Sequence, residues 1–131
     1  MPKHSVILVR CALLWFLVGV GLGLAMLLSR AGYGWPGVWP LRPVHGWIML
    51  SGFMVQLALG VAQWILPRNR NMPAPGPTRT WSALLFLNGG VVLMALSTTT
   101  LGVSVHVAGI VILVHGLWPR IQSIDVLRGE I

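Results

Sequence analysis

The segment VHGWIMLSGFMVQLALGVAQWIL, residues 44–66, contains no Asp, Glu, Lys or Arg, and most of its side chains are apolar. About 20 such residues in an α-helix span the hydrocarbon core of a bilayer. Three other apolar segments lie near residues 5–28, 81–97 and 101–118. The alternation of apolar and polar residues that is typical of membrane β-strands is absent from them. The sequence therefore predicts an all-α membrane protein, a single domain over residues 1–131 that forms a four-transmembrane-helix bundle.

The composition agrees with this prediction, since 56% of the 131 residues are hydrophobic and only 8% are charged. A soluble domain carries about 25% charged residues. Cys11 is the only cysteine, which excludes a disulfide scaffold. The only acids, Asp125 and Glu130, lie near the carboxyl terminus. The apolar segments therefore hold no carboxylate that could relay protons or bind a cation.

The nine Lys and Arg residues lie at the ends of the apolar segments and not in a stripe that would suit a nucleic acid. Loops on the cytoplasmic side of a membrane protein are enriched in Lys and Arg. We therefore expect a multi-pass protein of a prokaryotic inner membrane, with both termini and the loop after the second helix inside. The seven basic residues on the inner side are Lys3, Arg10, Arg68, Arg70, Arg79, Arg120 and Arg128, and the two on the outer side are Arg30 and Arg42.

One face of the second helix carries its polar groups. At about 100° per residue, Gly52, Gln56 and Gln63 all fall within about 20° of the direction of His45. A histidine with a glycine below it suits a flat macrocycle, because the imidazole binds the iron and no side chain lies under the ring. The alternative is a helix-packing seam of small residues joined by glutamine hydrogen bonds.

The fourth helix contains two histidines, His106 and His115, which point to opposite sides because they are nine residues apart. His106 is predicted to lie at a depth similar to that of His45, whereas His115 lies about 20 Å into its helix. We therefore expect His45 and His106 to be the metal ligands and His115 to have a packing role or to form a second site. Arg42, three residues before His45, is a candidate partner for heme propionates. Alternatively, Arg42 is an interfacial arginine whose charge reaches the membrane surface.

The stretch LRPVHGWIMLSGFMVQLALGVAQWILPR, residues 41–68, resembles the second helix of catalytic subunits in the heme-copper oxidase superfamily, and most closely the nitric oxide reductase branch. The resemblance implies that His45 is an axial ligand of a heme. Catalytic subunits of that family have about twelve helices and more histidines, so one copy of this chain is not expected to build a binuclear centre. The features that carry the resemblance are His45, Gly46, Gly52, Gly60, Trp64 and Leu66-Pro67.

The family's large subunit resembles three four-helix arcs, so a free four-helix chain is expected to form a homotrimer. Such a trimer can take the two ligands of one heme from different chains. The function expected from these features is that of a small b-type cytochrome, which binds heme b and transfers electrons or binds a diatomic gas. The alternative is a membrane assembly factor, an accessory subunit or a small transporter without heme. No catalytic residue is assigned in either case.

Overall fold

A computed structural model describes residues 3–66, 77–96 and 99–121, which are almost entirely helical and contain no strand. The all-α prediction is therefore confirmed for this part of the chain. The second apolar segment forms one continuous helical rod of three sections, which we call the composite helix. The elements are α1 (Lys3–Arg30), a 3₁₀ helix (Pro36–Leu41), the composite helix formed by α2 (Arg42–Trp47), a π-helical section (Ile48–Val55) and α3 (Gln56–Ile65), then α4 (Pro77–Ala95), α5 (Thr99–Leu117) and a 3₁₀ turn (Trp118–Arg120).

Three helical stretches, Lys3–Arg30, Pro36–Ile65 and Thr100–Arg120, are long and apolar enough to cross a membrane. This finding supports an integral membrane protein. The helix α4 has 19 residues and a polar first turn, and its crossing of the membrane stays a prediction. The orientation of the termini also stays a prediction, and Arg68, Arg70 and Arg128, on which it partly depends, lie outside the described residues.

All four helices begin two to four residues earlier than the apolar pattern predicts, and in two of them a proline lies in the first turn. The composite helix begins at Arg42 with Pro43 in its first turn, and α4 begins at Pro77. Proline is favoured at this position because it has no backbone N–H, and the first N–H groups of a helix have no partner within the helix. Between α1 and the composite helix the chain forms the short 3₁₀ helix Pro36–Leu41.

The described helices form two antiparallel pairs, and glycines allow close contact within each pair. A Cβ atom at Gly102 would lie 2.6 Å from the backbone nitrogen of Met94 on α4. Only glycine permits backbones to approach this closely. The successive contacts between α1 and the composite helix are Leu8 with Gly60, Trp15 with Gly52 and Gly23 with His45, and those between α4 and α5 are Leu87 with Gly109, Gly90 with His106 and Met94 with Gly102.

Two clusters of buried side chains connect these pairs. Towards the amino end of α1, Leu8 packs with Leu84 and Leu87 of α4 and Leu113 of α5. Towards the other end, Ile48 of the composite helix packs with α4 side chains. All four helices thus contribute to one bundle. The second cluster consists of Ile48, Val91 and Met94, with Trp15, Leu22, Val44, Trp47 and Val103 packed against it.

Candidate functional site

His45 lies in α2 and faces α1. Its Nδ1 atom is 3.0 Å from the carbonyl oxygen of Gly19, and a Cβ atom at Gly23 would lie 3.1 Å from its Cε1 atom. Because a carbonyl oxygen can only accept, Nδ1 carries the hydrogen and donates it. In the neutral imidazole the Nε2 atom then keeps its lone pair, which is the form of histidine that binds metals.

His106 is held in the same way by a different helix. Its Nδ1 atom donates to the carbonyl oxygen of Leu87 on α4 over 3.0 Å. The residue is 4% exposed, and its Nε2 atom is buried without a hydrogen-bond partner. A buried acceptor that lacks a donor costs about 1–3 kcal/mol. The geometry therefore leaves a fixed and unused nitrogen lone pair inside the bundle.

The two imidazoles are held by different helices, His45 by α1 and His106 by α4. Val44, next to His45, and Val103, one turn before His106, both pack against the cluster of Ile48, Val91 and Met94. This packing is consistent with a similar depth for the two histidines. Ligation of one metal by both stays a prediction. Within the described ranges, no group of three or more His, Cys, Asp or Glu side chains is placed to hold a metal ion.

Gly52 does not face an open slot. A Cβ atom at this position would lie 2.8 Å from Cγ of Trp15, so the indole of α1 fills the space that the sequence analysis assigns to a macrocycle. His45 and Gly52 do face the same neighbour, α1. The donor chemistry of the imidazoles fits a heme iron, but Gly52 does not provide the expected cradle. In this structure Gly52 serves helix packing.

Trp15 also organises a partly buried amide cluster that the sequence analysis missed. The indole Nε1–H donates to Asn88 Oδ1 over 2.9 Å, and Asn88 Nδ2 donates to the carbonyl oxygen of Leu84 over 2.9 Å. Gln56 Nε2 donates to the same Asn88 Oδ1 over 3.4 Å. The amide cluster, Trp15, Gln56 and Asn88, thus joins α1, the composite helix and α4.

The indole determines how both amides of the cluster are oriented. A tryptophan nitrogen can only donate, so the Asn88 atom that faces it must be the oxygen. Gln56 must then offer its NH₂ group to that oxygen, which leaves its own Oε1 atom buried without a donor. The orphaned Gln56 Oε1 is therefore an acceptor. His106 Nε2, which is buried without a partner while Nδ1 donates, is a second acceptor in the middle of the bundle. The signal that could have revealed this cluster is a tryptophan within an apolar helix, whose N–H group needs a partner when it is buried.

Of the remaining predicted residues, two lie on the surface of the bundle and Gln63 is partly buried. Arg42 is exposed at the start of α2, and His115 is exposed on α5. The Gln63 carbonyl oxygen accepts a hydrogen bond from Arg120 Nη2 over 3.2 Å. The backbone carbonyl of Gln63 is thus one of the acceptors at the carboxyl end of α3. Within the described contacts, nothing connects Gln63 to His45.

No known protein family, curated protein or solved structure matches the chain. Nothing in these comparisons connects it to the heme-copper oxidase superfamily, and that resemblance stays a prediction. Fold and site together define a small helical bundle with three stretches that are long and apolar enough to cross a membrane, and in its described part the mainly apolar interior also contains the polar side chains of Gln56 and His106.

Proposed function

We propose that this chain is a small b-type heme protein of the membrane, in which the Nε2 atoms of His45 and His106 bind the iron. One observation carries the proposal: each Nδ1 atom is hydrogen-bonded to a backbone carbonyl oxygen. Histidines that bind metals commonly donate their second N–H in this way, which fixes the tautomer and the ring orientation. The buried, unpartnered Nε2 atom of His106 adds support.

A bound heme would supply a redox-active iron, and the chain would supply its ligands and surroundings. The carbonyl oxygens of Gly19 and Leu87 fix the tautomer and the orientation of the two imidazoles. Two histidine ligands suit electron transfer, whereas one ligand leaves a position for a diatomic gas. Arg42, exposed one turn before His45, is the proposed partner of the propionates. Gly52 is not part of the proposed site, because Trp15 occupies the space beside it.

The proposal includes a homotrimer of four-span chains, with both termini on the cytoplasmic side of a prokaryotic inner membrane. The four-helix count motivates the trimer, whereas the burial of His106 Nε2 inside the bundle favours ligands that come from one chain. Native mass spectrometry of the purified protein should then show three chains with heme. A strict monomer that retains heme would contradict the trimer but not the ligand assignment.

The absorbance spectrum of the purified protein tests the function directly. We expect a Soret band that shifts on reduction, with sharp α and β bands. His45→Ala and His106→Ala should each lose most of the heme, while the matched control His115→Ala, on the exposed side of α5, should keep it. Equal loss in all three variants would refute the ligand assignment, and a colourless wild-type protein would refute the function.

A heme-free accessory subunit or assembly factor is the second candidate. The packing of Trp15 against Gly52 favours it, because the chain's own indole fills the predicted macrocycle space. The same spectrum separates the two candidates. A colourless protein that is folded and helical by circular dichroism would support this second function.

A further inference from the structure

The exposed aromatic side chains lie at the two ends of the bundle. All seven tryptophans belong to the described ranges. Trp15 and Trp47 are partly buried against the cluster around Ile48, whereas the other five are between 43% and 71% exposed. The exposed ones form two aromatic belts, of which the first consists of Trp35 and Trp39 with the exposed Tyr33, and the second of Trp64, Trp81 and Trp118.

Contacts between the helices place the second belt at one end of the bundle. The rings of His4, in the first turn of α1, and Trp81 of α4 meet edge to face with their centroids 5.7 Å apart. Beyond α5, Arg120 Nη2 donates to the carbonyl oxygen of Gln63, the residue before Trp64. The starts of α1 and α4 and the ends of the composite helix and α5 are therefore on the same side. The first belt, in the connection between α1 and the composite helix, is on the opposite side.

The surface between the two belts is mainly apolar. Leu17 of α1 and Val111 of α5 are 66% and 58% exposed, and Leu14 and Leu24 of α1 are exposed as well. The hydroxyl of the exposed Ser104 donates to the carbonyl oxygen of Thr100 within its own helix. This hydroxyl therefore adds little polarity to the band between the belts.

The basic side chains of the described residues lie at the belts, with one exception. Arg10 is two turns into α1 and exposed, and the long side chain of an arginine in such a place extends its charge towards the membrane surface. The described ranges contain no Asp or Glu, so the positive charges at the two ends suit the phosphates of lipid headgroups. The basic residues at the first belt are Arg30 and Arg42, and those at the second are Lys3, Arg79 and Arg120.

The separation of the belts matches a bilayer. The rod between Arg42 and Trp64 is roughly 30 Å long at about 1.5 Å per residue, and the hydrocarbon core of a bilayer is about 30 Å thick. Tryptophan and tyrosine are enriched at both membrane–water interfaces, where the apolar part of the ring meets lipid and its N–H or O–H group meets the headgroups. A second copy of the chain would account for an apolar surface but not for aromatic belts at this spacing.

We propose that the bundle lies across a lipid bilayer whose two lipid–water boundaries coincide with the two aromatic belts. His45, one turn after Arg42, then lies close to the boundary at the first belt, whereas Gln56 lies within the hydrocarbon core. The proposal does not depend on the heme.

Nitroxide labels on the full-length protein in phospholipid vesicles test this proposal. With Cys11 replaced by alanine, single cysteines are introduced as Leu17→Cys and Val111→Cys in the apolar band and as Tyr33→Cys and Trp118→Cys in the belts. Oxygen concentrates in the hydrocarbon core, whereas a nickel chelate stays in water. We expect the labels in the band to collide mainly with oxygen and the labels in the belts to collide with the nickel chelate.

Each of the other outcomes would contradict the proposal. Collision with the nickel chelate at Leu17→Cys would show that water covers the band. Low collision rates with both reagents at Leu17→Cys or Val111→Cys would show that protein covers it, as in an interface between copies. Collision mainly with oxygen at Tyr33→Cys or Trp118→Cys would mean that the boundary is not at that belt.

The intrinsic fluorescence of the unmodified protein gives a second test. Because five of its seven tryptophans lie in the belts, phosphatidylcholine brominated near the headgroup should quench the fluorescence more than phosphatidylcholine brominated near the chain end. Replacing Trp35 and Trp39 together by phenylalanine should reduce this difference. Trp15→Phe, which removes an indole from the middle of α1, should increase it. Equal quenching by the two lipids, or the same change in both folded variants, would refute the assignment of the belts.

Discussion

At the scale of the residue, the Trp15 indole packs against Gly52 and donates its N–H to Asn88, so this one side chain links α1 to the composite helix and to α4. His45 and Gly52 were placed on one face from their spacing, and both do face α1. The spacing could not show that Trp15 lies against Gly52, because a helical period describes one helix and contains no information on the register of its neighbour. The amide cluster was missed for the same reason. Its three residues belong to three helices and meet only in the folded bundle.

Gly52→Ala should destabilise the protein, because the new methyl group would lie 2.8 Å from Cγ of Trp15. The indole would have to shift and would weaken its bond to Asn88 Oδ1. Overpacking of this kind costs about 1–3 kcal/mol. Thermal unfolding followed by circular dichroism should show a lower midpoint. Gly46→Ala is the matched control, since nothing lies within 4 Å of a Cβ atom there, and it should be neutral or slightly stabilising.

The two amides of the cluster should differ in their effect on stability. Asn88→Leu leaves the Trp15 N–H and the Gln56 NH₂ without their shared acceptor, which should cost about 1–3 kcal/mol. Gln56→Leu removes a long hydrogen bond and also the orphaned Oε1 acceptor, so its cost should be smaller. The unfolding midpoints of the two variants test this order. A larger loss for Gln56→Leu would mean that Oε1 has a partner, such as a bound water molecule.

At the scale of the element, the apolar pattern predicted four helices but not the π-helical section Ile48–Val55. The residues of this section are ordinary helix and membrane residues, and a pattern read at 100° per residue does not detect a locally wider turn. Sections of π-helix frequently occur at functional sites. The π-helical section lies between His45 and Gln56, and its wider turn changes the angle about the helix axis between these two side chains. The angular relation of His45 to Gln56 and Gln63 therefore could not be predicted from regular helix geometry.

The carboxyl end of the composite helix depends on a side chain from beyond α5. Arg120 Nη2 donates to the carbonyl oxygens of Gln63 and Leu66, which have no partner within the helix at that end. Arg120→Gln should therefore loosen the last turn of α3. Hydrogen exchange should become faster in peptides that cover this turn, with a local cost of about 1–2 kcal/mol. Arg10→Gln, at an exposed position on α1, serves as the control and should leave the exchange of α3 unchanged.

At the scale of the whole molecule, the antiparallel pairing bears on the number of membrane crossings. The helix α4 lies beside α5 along nearly all of its length, from Arg79 against Ile112 to Met94 against Gly102. Since α5 belongs to a stretch long and apolar enough to span the membrane, we predict that α4, which is paired along its length, lies at the same depth. The polar first turn of α4 lowers its mean hydropathy, but in the predicted orientation it falls at the inner end of the bundle, where Arg79 can reach the membrane surface.

Cysteine labelling distinguishes four crossings from three. With Cys11 replaced by alanine, single cysteines are introduced as Tyr33→Cys and Trp118→Cys, at positions that are 86% and 71% exposed. If α4 crosses the membrane, the two positions lie on opposite sides, because three crossings separate them. A membrane-impermeant maleimide added to intact cells should then label Tyr33→Cys, and should label Trp118→Cys only after the cells are broken. Labelling of both variants in intact cells would mean that α4 does not cross, and labelling of Trp118→Cys alone would reverse the predicted orientation.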